Sequence, residues 1–85
     1  MLKVYSRPDC MYCTMTKHLL ERYEIPFSLI DVSQQTTSRQ FLLEAGHKSV
    51  PQIYHRGELF CDGYTELAEM TKEDIENKIK EQSWY

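Results

Sequence analysis

Cys10 and Cys13 are separated by two residues, Met11 and Tyr12, at the point where a short apolar run gives way to a helical pattern. Two thiols at that spacing can close into a disulfide and reopen. The start of a helix favours thiolate over thiol at the first of them, because free backbone N–H groups and the positive end of the helix dipole lie there. Arg7, three residues upstream, adds positive charge. Cys13 lies about one turn further in, within reach of Cys10 and more shielded. This divides the labour: Cys10 attacks a substrate disulfide to give a mixed disulfide, and Cys13 resolves it, leaving the pair oxidised. Tyr12 offers an aromatic face beside the sulfur. The same pair is also half of a zinc site, which Cys61 and one of His18, His47 or His55 would have to complete. A bridged iron–sulfur cluster is another metal-binding alternative. Cys61, after an apolar pair, reads as a small semi-buried hydrophobe, and His47 and His55 as ordinary surface or strand residues.

The elements that must hold this dithiol follow from pattern and punctuation. Residues 2–6 form a β-prone run ended by Arg7-Pro8-Asp9. From Met11 to Tyr23 the apolar positions Met15, Leu19, Leu20 and Tyr23 make a helical stripe, which Pro26 terminates. The near-continuous apolar run from Phe27 to Val32 predicts a strand buried on both faces. Thr37 and Gln40 fit a capping box for a helix carrying Phe41, Leu42 and Ala45 and ending at Gly46. Residues 51–55 and 58–61 read as a hairpin about Arg56-Gly57. Thr65 is placed to cap a short helix reaching Met70. Thr71 and Asp74 open a last one with Ile75 and Ile79 inward, although the two helices could be one, bent. Trp84 and Tyr85 either pack back on the sheet or fray. The order β-α-β-α-β-β-α predicts an α/β fold, a four-stranded mixed sheet with helices on both faces, in one domain spanning residues 1–85.

Composition narrows the function classes. Hydrophobic residues are 41% and charged residues 27% of the chain, the balance of a globular domain. A net charge of −3 without a Lys/Arg cluster argues against nucleic acid as a partner. No apolar run approaches membrane-spanning length, and Met1-Leu2-Lys3-Val4-Tyr5 lacks the longer apolar stretch and small-residue cleavage site expected of a signal peptide. The expected setting is cytoplasmic, where closely spaced cysteines point to catalysis or metal rather than to a structural disulfide.

With these residues in view, the sequence resembles a glutaredoxin of the dithiol type, within the thioredoxin-fold superfamily. Tyr5-Ser6-Arg7 followed by Cys10-Met11-Tyr12-Cys13 is similar to the family's strand end, basic residue and Cys-Pro-Tyr-Cys site. Ser49-Val50-Pro51-Gln52-Ile53 matches its Thr-Val-Pro-Gln segment, and Gly63-Tyr64-Thr65-Glu66-Leu67 its Gly-Gly-Tyr-Asp-Asp-Leu stretch. The resemblance covers nearly the whole chain. It implies a thioredoxin-like fold and a thiol–disulfide oxidoreductase that acts as a monomer. Such an enzyme has no bound cofactor, uses glutathione as reducing co-substrate, and takes disulfide-containing proteins such as ribonucleotide reductase as targets. It further implies that Pro51 is a cis-proline beside the dithiol, and that the Val50 backbone pairs with glutathione. Gly63, Tyr64 and Thr65 would receive the γ-glutamyl carboxylate, and Arg7 would sit near the glycine carboxylate, with Tyr12 beside the thiol. Three positions depart from the pattern: Met11 for proline, Asp62 for the first glycine, and Thr65 for an acidic residue that would pair with the glutathione amino group, a role Glu66 could assume. Asp62 keeps open a glutaredoxin-like protein recharged by thioredoxin reductase instead.

Overall fold

A computed structural model describes residues 1–82; Trp84 and Tyr85 lie outside the described residues. The chain runs β1 (Leu2–Ser6), α1 (Met11–Arg22), β2 (Phe27–Asp31), α2 (Thr36–Glu44), β3 (Gln52–His55), β4 (Glu58–Cys61), α3 (Tyr64–Ala68) and α4 (Lys72–Glu81). The four strands form one mixed sheet in the order β2-β1-β3-β4. β1 and β2 are parallel, as expected for strands joined through a helix, whereas β3 pairs antiparallel with both β1 and β4. The β3–β4 hairpin turns through Arg56 and Gly57, with φ of 53° and 83°. Two successive left-handed residues suit the twist of a tight hairpin.

Alternation along the central strands separates two cores. Val4 and Ile53 point to one face, where Leu19 and Leu20 of α1, Leu67 of α3 and Ile75 of α4 join Leu2, Phe60 and Cys61. Tyr5 and Tyr54 point to the other, against Val32 and Leu42 of α2. Ile79 packs on the edge of the larger core, as its spacing from Ile75 predicts. The helices therefore cover both faces of the sheet.

Several local expectations are corrected. β2 is not buried on both faces: it lies at the sheet edge, and Leu29 is 50% exposed. An apolar run reports that a strand is apolar, but its place in the sheet decides what covers it. The inward stripe at the start of α1 is Cys13 and Thr16 rather than Met15. Thr16 satisfies its hydroxyl by donating to the Tyr12 carbonyl at 2.8 Å, so a small polar residue fits the core. α2 begins two residues earlier than expected, and Thr37 is not its cap; Gln35 stands there without a side-chain capping bond. Of Phe41, Leu42 and Ala45, only Leu42 is buried. α3 is capped by Gly63 rather than Thr65 and ends at Ala68, so that it and α4 are separate helices.

The capping box of α4 forms as expected. The Asp74 N–H donates to Thr71 Oγ1 and the Thr71 N–H to Asp74 Oδ2, both at 3.0 Å. Thr71→Ala is expected to lower the unfolding free energy by about 1 kcal/mol. The check is a urea titration, in which the midpoint should fall with an unchanged slope.

Candidate functional site

Cys10 ends up as the N-cap of α1, in extended conformation, because Pro8 and the left-handed Asp9 (φ 59°) break β1 away from the helix. Its sulfur accepts the Cys13 N–H at 3.2 Å. The cap position is normally filled by a hydroxyl or carboxylate oxygen accepting such a bond, and here a sulfur takes it. The bond holds that sulfur at the open end of the helix, beside its free backbone N–H groups. The same sulfur lies 3.8 Å from the Val50 carbonyl oxygen, 40 residues away in sequence.

All three cysteines are free thiols. Cys10 is partly exposed and Cys13 buried at 5% exposure. Burial, then the hydrogen bond to Cys10, push the Cys13 thiol up to about 12, against a backbone hydrogen bond and the charge of Arg7. The two thiols are thus inequivalent: one reaches solvent at a helix start, and the other is held protonated behind it.

The Val50–Pro51 peptide is cis, as the resemblance implied. Gly63 comes alongside it: a Cβ built on Gly63 would lie 4.0 Å from the Pro51 carbonyl oxygen. Gly63 has φ of 93°, which a side chain would strain, and this geometry lets the chain turn into α3 beside Pro51. Tyr64, first residue of α3, stacks on Tyr12 of α1 with ring centroids 6.1 Å apart and planes at 26°. Cys10, Tyr12, Val50, Pro51, Gly63 and Tyr64 are thereby gathered from three separate stretches. Thr65 follows on the exposed side of α3.

Arg7 and Val50 also line a cleft of about 400 Å³ on the α2 side, together with Arg39, Leu42, His47 and Lys48. Among its described lining residues there are two arginines and a lysine and no carboxylate. Sequence reasoning singled out Arg7 but not Arg39 or Lys48. They lie 32 and 41 residues from it, and only the packing of α2 against the sheet brings them together. Lys48, two residues before Val50, was the findable one.

Gln52 was also overlooked. It is 1% exposed, and its Nε2 donates to the Ser49 carbonyl at 3.0 Å and to Asp62 Oδ1 at 2.8 Å. Its Oε1 has no hydrogen-bond partner among the described residues, at a cost of about 1–3 kcal/mol. Turning the amide over would set that oxygen against two acceptors, so Ser49 and Asp62 dictate its orientation.

The residues weighed as further metal ligands go elsewhere. Cys61 is fully buried, deeper than expected, with its sulfur 3.7 Å from Met70 Sδ. His47 Nε2 pairs with the Tyr54 hydroxyl at 2.7 Å, and His55 Nδ1 with Gln82 Oε1 at 3.0 Å. Among the described residues no three His, Cys, Asp or Glu side chains gather as a metal ion would require. No described helix is long and apolar enough to cross a membrane.

Comparison with known proteins gives this geometry a family. The model of the glutaredoxin family matches residues 2–60, more than half of the chain. A glutaredoxin of Neisseria meningitidis serogroup A is 36% identical over 73 residues, covering 82% of this chain and 84% of that one. The glutaredoxin-like protein NrdH of Lactococcus lactis subsp. cremoris is also 36% identical, over 53 residues, covering 62% and 74%. Among solved structures, a buckwheat glutaredoxin–glutathione complex superposes with a TM-score of 0.76 at 21% identity, over 94% of this chain and 76% of that one, a likeness of fold. A dithiol at a helix start on a thioredoxin-like fold, the matching family model and these relatives together lead to one conclusion: the chain belongs to the glutaredoxin family.

Proposed function

We propose that this protein is a dithiol thiol–disulfide oxidoreductase, with Cys10 as nucleophile, Cys13 as resolving thiol and glutathione as the reductant. The observation that carries the reading is the Cys10 sulfur itself, on a partly exposed residue, accepting a helix N–H and facing the Val50 carbonyl. In the first step the Cys10 thiolate attacks one sulfur of a substrate disulfide. The substrate S–S bond breaks, a mixed disulfide forms on Cys10, and one substrate sulfur leaves as thiolate. The mixed disulfide no longer carries charge or a thiol on Cys10. Two of the influences that hold Cys13 protonated, its hydrogen bond and its charge interaction with Cys10, therefore disappear when Cys13 is needed. Cys13 then attacks Cys10 Sγ, its proton passing to the departing thiolate. The pair is left as a disulfide, and the substrate has gained two electrons and two protons. Two glutathione molecules reverse the oxidation and leave as glutathione disulfide.

The groove between Val50–Pro51 and Gly63–Tyr64–Thr65 suits glutathione in this reading, with Tyr12 and Tyr64 as an aromatic wall beside the sulfur. The cationic cleft of Arg7, Arg39 and Lys48 suits the glycine carboxylate. Disulfide-containing proteins, ribonucleotide reductase among them, are the proposed targets. A second reading, recharging by thioredoxin reductase, draws support from Asp62, which Gln52 fixes beside the segment proposed to receive a carboxylate.

Coupled assays separate the two. NADPH oxidation with a disulfide substrate should run at least about tenfold faster with glutathione and glutathione reductase than with thioredoxin reductase, about 1.4 kcal/mol of discrimination. Activity only with thioredoxin reductase would replace the first reading by the second.

A further inference from the structure

The wall facing the dithiol is a stretch of loop. The Val50 carbonyl oxygen stands 3.8 Å from the Cys10 sulfur, yet the pairing of β3 with β1 ends at Gln52. Among the described residues, no backbone–backbone hydrogen bond outside the helices and strands involves residues 48–51. A single buried side chain ties this stretch down. Gln52 Nε2 donates to the Ser49 carbonyl at 3.0 Å and to Asp62 Oδ1 at 2.8 Å. Ser49 precedes Val50 and Gln52 follows Pro51, so the first bond closes a short loop around Val50–Pro51. The second reaches the residue before Gly63, whose own backbone comes alongside Pro51. An amide nitrogen has two hydrogens, and both are used here. At 1% exposure the side chain cannot swing out to solvent without opening the packed interior.

We propose that Gln52 is a positioning residue for the internal step of the exchange. By holding the Ser49 carbonyl and the Asp62 carboxylate on one nitrogen, it fixes the Val50–Pro51 wall against the Cys10 sulfur. It thereby sets the rate at which Cys13 resolves a mixed disulfide. This rests on the reading of Cys10 as nucleophile and Cys13 as resolving thiol, and holds whichever reductant recharges the pair. In the internal step the bond between Cys10 and the substrate sulfur breaks, the Cys10–Cys13 bond forms, and the proton of Cys13 leaves with the substrate thiol. Displacement at sulfur needs the attacking, central and departing sulfurs in line. Cys13 is buried in α1 and its N–H holds Cys10, so α1 itself places two of the three. The third belongs to the substrate, and the Val50–Pro51 wall limits where it can lie. The first attack, by a partly exposed Cys10 on a freely approaching disulfide, makes no such demand on the wall.

The test mixes the reduced full chain with excess dithiodipyridine in stopped flow. Each step releases one coloured thiopyridone. The first appears as Cys10 attacks the probe, at a rate proportional to probe concentration. The second appears as Cys13 displaces the remaining half, at a rate independent of it. Gln52→Met keeps the length of the side chain but donates nothing. In it the second step should slow about tenfold, less than the roughly hundredfold that a 1 Å misplacement can cost, while the first stays within about twofold. Lower stability alone would not split the two, because both are read on the same folded molecules. Asp62→Ala removes one of the two acceptors at an exposed position and should slow the second step about threefold. Asp62→Asn, which keeps a side-chain oxygen for the amide, should restore it. Gln52→Met combined with Asp62→Ala should be no slower than Gln52→Met alone, because the two changes remove the same hydrogen bond. Equal slowing of both steps, an unchanged second step in Gln52→Met, or losses that multiply in the double variant overturn the proposal and leave the roles of the cysteines intact. A second, probe-independent release that persists in Cys13→Ser removes the dithiol reading and the proposal with it.

Discussion

Cys10→Ser is expected to abolish every exchange reaction, with a rate loss of about a thousandfold or more against both a protein disulfide and a glutathione mixed disulfide. A serine hydroxyl keeps the cap bond to the Cys13 N–H, so the helix start is preserved and the loss is chemical. Cys13 cannot take over. It is 5% exposed, and with its thiol pushed up to about 12, fewer than about one in ten thousand molecules carry the thiolate at neutral pH. Cys13→Ser should behave differently. The mixed disulfide on Cys10 still forms, and external glutathione still releases it, so reduction of a glutathione mixed disulfide should survive within about tenfold. Reduction of a protein disulfide needs the internal attack and should be lost, with the enzyme trapped on its substrate. Mass spectrometry of the trapped adduct identifies the sulfur. An adduct on Cys13 or Cys61, or exchange that survives loss of Cys10, would overturn the assignment.

How much of this was open to sequence reasoning depends on the range of the interaction involved. The dithiol, its place at a helix start and the Thr71–Asp74 capping box are local patterns, and all three take the expected form. The α4 box forms where the α2 box does not, although the two sequences look alike. Asp74 reaches back to the Thr71 N–H, whereas α2 starts at Thr36 and leaves Thr37 within the first turn. The exposure of β2 was out of reach, because Phe27–Asp31 reads the same at the edge of a sheet as at its centre. Arg39 and Gln52 were missed for a related reason. Each is an unremarkable polar residue until the fold brings it beside Arg7 or Asp62. The groove motifs around Val50–Pro51 and Gly63–Tyr64 were legible only through resemblance, since nothing in their local pattern says that they approach Cys10.

The reduced protein should lose stability steeply above pH 9, and two buried thiols set the size of the effect. Burial pushes Cys61 up to about 11, with Glu66 adding to the shift and Lys78 opposing it, and Cys13 stands at about 12. Both start from an ordinary value of 9.0 in the unfolded chain. A thiol whose value is raised by folding contributes stability that is fully present below its unfolded value, because there both states are protonated. Above pH 9 the unfolded chain releases the proton and the folded one does not, so stability falls until the folded value is passed. By pH 10.5 each thiol should have cost about 2 kcal/mol, at 1.36 kcal/mol per pH unit. Tyr5 and Tyr54, both raised chiefly by burial, act in the same direction and steepen the fall further. Two comparisons isolate the cysteines in urea titrations at pH 8 and pH 10.5. Closing the Cys10–Cys13 disulfide removes the Cys13 contribution, so the oxidised protein should lose about 2 kcal/mol less than the reduced one across that interval. Cys61→Ala, although weakened at pH 8 by the space it leaves in the larger core, should likewise show a shallower alkaline fall by about 2 kcal/mol. If all three forms fall in parallel, the buried thiols are not what limits the fold at high pH, and Tyr5 and Tyr54 carry the loss.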